Sequence, residues 1–278
     1  MKMILNGFFQ IKFVLLFLNL SVAVVISMSG CASNPNEQIR IGNGVEVVTD
    51  SDEPDSRKRA RIRLELAVGY FEQGQTTIAL DELKQSISAD PLYADAFSLR
   101  GLIYMRLNDS RLAEESFRKA LSISPKDSNV MHNLGWLFCQ ESRHNEAQQL
   151  FAQALSNLQY GERAKTYRAQ GLCQLKAGRG DDAEKSLSKS YEFDAGNPIT
   201  AYNLAKLLFQ RGDFVRAQFY IRRLNNTELA NAETLWLGVK VENKVKNQDA
   251  MLQLATQLVK RFPQSFEAAA YQRGAFDD

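Results

Sequence analysis

The sequence predicts an all-α fold: a right-handed superhelical solenoid of six helix–turn–helix units, closed by a C-terminal capping helix. Three observations carry this prediction. From Arg57 a helical spacing of apolar residues persists to the end of the 278-residue chain. Small residues return at a period of about 34 positions through six consecutive stretches. One stretch, residues 94–127, holds every part of a unit. Phe97, Gly101 and Tyr104 share one face of a first helix, Ala113, Phe117, Ala120 and Leu121 line a second, and Pro125 follows.

The residue types in that unit have physical reasons. Two antiparallel helices approach closely only where Gly101, Ala113 and Ala120 leave room, and Phe97, Tyr104 and Phe117 fill the space between. Asn108, Asp109 and Ser110 break the first helix and cap the second. Pro125 lacks the N–H needed to continue. This spacing resembles the tetratricopeptide repeat, with Phe97 and Arg100 where that repeat has Trp and Leu.

Before the helical region, residues 1–30 hold Lys2 and Lys12, no acidic residue, and an apolar run interrupted by Asn19 and Ser21. They read as a secretory leader rather than a permanent membrane span. The run ends in Met28, Ser29, Gly30 and Cys31, which resembles a bacterial lipobox; lipidation is expected at Cys31, with ordinary cleavage near Gly30 as the alternative. In bacterial lipoproteins an Asp after that Cys favours inner-membrane retention. Here the residue is Ala32, which favours the outer membrane. Residues 31–56, with Pro35, Pro54 and an acidic patch, read as a flexible tether whose ends average about 30 Å apart. The solenoid domain is expected over 57–278.

The units follow in order. The first starts at Ala60 and places Ala67, Tyr70, Ala79, Leu83 and Pro91 in register. The second is 94–127. The third, 128–161, offers Leu134, Gly135, Phe138, Ala147, Phe151, Ala154 and Leu155, and two extra residues follow it. The fourth, 164–197, offers Tyr167, Gly171, Ala183 and Leu187; the fifth, 198–231, offers Leu204, Ala205, Leu208, Ala217 and Ile221. The sixth has Gly238, Val241, Ala250, Leu254 and Pro263, and residues 265–275 form the closing helix.

Charge and motifs narrow the function classes. Lys and Arg number 34 and Asp and Glu 32. Lys2 and Lys12 belong to the leader, so the mature chain is neutral and carries no basic stripe, which argues against nucleic acid. No nucleotide loop, zinc-protease or nucleophile-elbow motif is present, so neither an enzyme nor a small-molecule substrate or cofactor is expected. The acidic pairs Glu114/Glu115 and Asp181/Asp182 are expected to open second helices and meet their dipoles. His144 falls in a turn and reads as solvated; His132 lies on a first helix as a groove hydrogen-bonder. Cys139 and Cys173 form an even pair on neighbouring first helices at similar heights. A disulfide between them is expected, with two buried thiols as the alternative.

In such a unit positions 4, 8 and 11 pack inward, leaving positions 2, 5, 9 and 12 of the first helices to face the concave groove. A partner-binding strip is therefore expected from Leu102, Met105, His132, Trp136, Arg168, Leu172, Leu175, Tyr202 and Lys206, with Asn133 and Asn203 able to hydrogen-bond an extended backbone. The ninth positions hold Val68, Leu102 and Trp136 rather than the Asn of carboxylate-clamp repeats, which disfavours capture of a free C-terminus.

The lipobox, the acidic tether, the six repeats and the stretches HNLGWLFCQESRHNEAQQLFAQAL and YRAQGLCQLKAGRGDDAEKSL together resemble the type IV pilus biogenesis lipoprotein family, the pilotins of the type IV pilus secretin. Its specific part is the arrangement of Gly135, Trp136 and Cys139 with Gly171, Leu172 and Cys173. The resemblance implies an outer-membrane protein facing the periplasm, with the secretin subunit as protein partner and twitching motility downstream. The alternative is a periplasmic adaptor lipoprotein that scaffolds peptidoglycan hydrolases or outer-membrane assembly factors.

Overall fold

The computed structural model describes residues 52–276. The leader, Cys31 and the tether to residue 51 lie outside the described residues. Thirteen helices follow one another and no strand occurs among the described residues: α1 (Asp55–Glu72), α2 (Thr76–Ala89), α3 (Ala94–Arg106), α4 (Ser110–Ile123), α5 (Ser128–Gln140), α6 (His144–Ser156), α7 (Arg163–Lys176), α8 (Gly180–Phe193), α9 (Pro198–Gln210), α10 (Phe214–Asn225), α11 (Ala232–Lys244), α12 (Gln248–Arg261) and α13 (Phe266–Gln272). They form six antiparallel pairs and one closing helix, a solenoid of tetratricopeptide-repeat type. Helices pack against their partner within a unit and against the next unit. None is long and apolar enough to cross a membrane.

The turn inside each unit shows the period directly. A residue with φ between 57° and 78° occupies it in every unit: Gly74, Asn108, Ser142, Gly178, Gly212 and Lys246. The intervals are 34 residues except between Ser142 and Gly178, where the two-residue insertion makes it 36. This left-handed residue lets the chain reverse within three residues, and the side chain after it often caps the next helix. Asp109 accepts from the Leu112 amide, Asp213 from Arg216 and Asn247 from Ala250.

Helix approach is set by one contact repeated along the array. In the first five units Ala67, Gly101, Gly135, Gly171 and Ala205 each lie 16 positions before a larger apolar residue: Leu83, Phe117, Phe151, Leu187 and Ile221. All five of those partners are fully buried. A Cβ on Gly101 would sit 2.5 Å from the Phe117 ring, and one on Gly171 would sit 2.7 Å from Leu187 Cγ.

Two expectations change here. In the sixth unit Ala250 and Leu254 are only half-buried, and Met251, Ala255 and Leu258 form the core. These stand 34 positions after the buried Ala217, Ile221 and Leu224, so the sixth unit begins one residue later than its expected start; the short α13 closes it, with Trp236, Tyr271 and Phe276 in mutual contact. Glu114 and Glu115 lie beyond the first turn of α4. Glu114 instead accepts from Arg118 at 2.7 Å and from Arg143 of the next unit at 2.6 Å. Burial alone would raise its carboxyl, but the two guanidinium hydrogen bonds outweigh that and hold it below the ordinary value.

Candidate functional site

The strip expected from sequence is carried by the first helices α3, α5, α7 and α9, of which α3 touches α5 and α5 touches α7. It is half-buried rather than open. Leu102 packs against the cores of both the first and second units, and Met105 and Trp136 pack against the core around Phe117 and Phe138. These side chains, placed in the groove by their repeat positions, thus also pack on the core. Leu172, Leu175, Arg168, Tyr202 and Asn133 are half-buried as well, and Lys206 is exposed. Asn203 donates from Nδ2 to the Ile199 carbonyl of its own helix at 2.7 Å, so its amide hydrogens are partly engaged.

His132 departs further from expectation. It is 6 % exposed and sits between α5 and α7, where its Nδ1 is 2.9 Å from Thr166 Oγ1. Tyr160 Oη is 3.0 Å from that same hydroxyl. Tyr160, at the end of the third unit, is buried, while Arg163 donates to the Leu155 carbonyl at 3.0 Å and closes the turn. Burial, and then Lys165 and Arg168, push His132 down to about 4. The folded state therefore binds fewer protons than the unfolded chain between pH 4 and pH 6.5, and stability contributed by the neutral ring falls on acidification through that window. The melting temperature of the wild type should drop more steeply across it than that of His132→Gln, as followed by dichroism at several pH values.

Sequence reading missed a series of cation–aromatic pairs along the same face. Lys176 Nζ is 5.4 Å from the Trp136 ring, Lys206 Nζ 5.8 Å from Tyr202, and Lys240 Nζ 5.6 Å from Phe209 and 5.5 Å from Trp236. Apolar rings with ammonium groups above them suit a segment that is itself apolar and acidic. A second aromatic patch, on the later helices, was also missed. Phe193 and Phe219 are 55 % and 52 % exposed, beside Tyr167, Tyr191 and Tyr220, with Arg163 and Arg223 over them. Outward aromatic positions on second helices were the signal that could have found it.

Cys139 and Cys173 are joined in a disulfide that links α5 to α7, with Cα atoms 5.7 Å apart. His144 is the first residue of α6, half-buried, with Nδ1 3.5 Å from Cys173 Sγ, rather than solvated in a turn.

Comparison with known proteins agrees with this architecture. Family models described as tetratricopeptide repeat match residues 92–159 and 132–198. The type IV pilus assembly protein PilF of Pseudomonas aeruginosa is 25 % identical over 250 residues, covering 90 % of this chain and 95 % of that protein. The solved structure of Pseudomonas aeruginosa PilF superposes with a TM-score of 0.72, covering 80 % of this chain and all of that one. PilW, described as a widely conserved type IV pilus biogenesis factor, superposes with a TM-score of 0.68 at 28 % identity, covering 77 % of this chain and 98 % of PilW. The chain is a tetratricopeptide-repeat protein homologous to PilF and PilW.

Proposed function

We propose that this chain is an outer-membrane lipoprotein, anchored through an acylated Cys31 and facing the periplasm, that scaffolds type IV pilus assembly by aiding the localisation and multimerisation of the outer-membrane secretin. The observation that carries the reading is similarity along nearly the whole length of PilF and PilW, two proteins named for pilus biogenesis. The lipobox at Cys31 supports the anchor. The scaffold acts by binding and not by catalysis: an apolar segment with acidic residues lies along the first-helix face, over Trp136, Leu172 and Leu175, with Lys176 and Lys206 meeting its charges.

Trp136→Ala tests the binding face. Trp is enriched among residues that dominate interfaces, and its loss should weaken secretin binding by about 2 kcal/mol. Secretin co-purification and multimer yield are read beside a thermal melt, because Trp136 also packs on the core. Normal multimers from a stable variant would move the partner to the Phe193 and Phe219 patch. Cys31→Ser tests the anchor independently: the variant should leave the outer-membrane fraction, and unchanged fractionation would show that acylation is not what holds it there.

A further inference from the structure

Cys139, His144 and Cys173 are brought together from three successive helices, α5, α6 and α7. The two sulfurs and an imidazole nitrogen all lie within 4.8 Å of one another. The two cysteines are 1 % and 0 % exposed, whereas His144 reaches solvent in part. We propose that the dithiol form of this cluster is a binding site for a thiophilic divalent ion of the zinc class, and that the disulfide and the metal are alternative occupants of the same place.

The chemistry of the donors favours this ion. Two thiolates and one imidazole form a soft, three-ligand set that leaves one coordination position for water. Reduction of the disulfide by a dithiol delivers two electrons and two protons to Cys139 and Cys173, and the reductant closes its own disulfide. The ion then replaces the two thiol protons, which leave to solvent, and two metal–sulfur bonds form where two S–H bonds were. Two thiolates alone would be uncompensated charges in a buried place, and a dication cancels both. Little motion is required, because the helices that carry the ligands are already fixed by the packing of the third and fourth units. Oxidised, the sulfurs are bonded to each other and cannot release protons to a metal. The cluster therefore holds an ion only under reducing conditions.

The test uses the full chain carrying Cys31→Ser, so that Cys139 and Cys173 are its two thiols. It is reduced with dithiothreitol, desalted under nitrogen and titrated with Co²⁺. One ion per chain should bind with the visible bands of a tetrahedral, thiolate-ligated site, Zn²⁺ should displace it, and Zn²⁺ should raise the melting temperature of the reduced chain. The oxidised chain should show neither effect. His144→Ala, at a partly exposed position, should keep the fold and bind Co²⁺ roughly tenfold or more weakly. Absence of the bands in the reduced chain, equal binding by the oxidised chain, or wild-type affinity in His144→Ala would each overturn the proposal. So would binding confined to a reduced chain whose far-ultraviolet dichroism shows it unfolded.

Discussion

Gly101→Leu should destabilise the protein by about 3 kcal/mol, because the new side chain must begin where the Phe117 ring already lies. A Cβ alone would come within 2.5 to 2.7 Å of three ring carbons. Phe117 is fully buried among Ala113, Ala120, Val130 and Leu134, so the ring has no free space to retreat into. The helices α3 and α4 must separate, and the third unit, which packs on both, loses part of its own contact. Gly69→Ala on α1 is the control, since nothing lies within 4 Å of a Cβ there. Urea unfolding of the two variants should show a large loss of midpoint for the first and little change for the second. Equal midpoints would mean that the helix pair is not held at the distance seen.

Replacing both Cys139 and Cys173 by Ser should cost about 3–4 kcal/mol, the chain entropy released when a loop of about 35 residues is no longer closed. The bridge spans 34 positions and joins the third unit to the fourth, across the insertion where the regular period slips. The unfolding transition of the double variant should come at a lower midpoint and become less cooperative, as the two halves of the array separate at that joint. A single transition at the wild-type midpoint would show that the bridge adds nothing to the packing of α5 on α7.

The repeat was readable from sequence because the contact that sets the fold is chemically narrow. Only Gly or Ala fits where two helices touch, so positions such as Gly101, Gly135 and Gly171 announce the register by residue type alone. The pairing of Cys139 with Cys173 was legible from the same register, since the twelfth position of the third unit and the tenth of the fourth lie at similar heights on neighbouring first helices. The orientation of larger side chains was harder to read. His132 falls at a position assigned to the groove, yet the α5–α7 joint buries it, because Thr166 of α7 meets its ring and Tyr160, at the end of the third unit, meets Thr166. A periodic rule cannot contain a contact that occurs in one unit. The aromatic patch of Tyr191, Phe193 and Phe219 was obscured for the opposite reason: such residues on a repeat helix read as core until exposure is known. The sixth unit was placed one residue early, since its buried Met251, Ala255 and Leu258 stand 34 positions after Ala217, Ile221 and Leu224.

The staple between the third and fourth units has a mechanical meaning. A tension that enters at the N-terminal end of α1 is passed from unit to unit, because each touches mainly its neighbours. Under load the first two units peel away one after another, each lengthening the chain. At Cys139 the peeling halts, since force bypasses the enclosed residues through the sulfur–sulfur link to Cys173. About 110 Å of chain is thereby withheld from extension. The array behaves as two extensible ends joined by an inextensible middle, so strain is absorbed before it reaches the central joint.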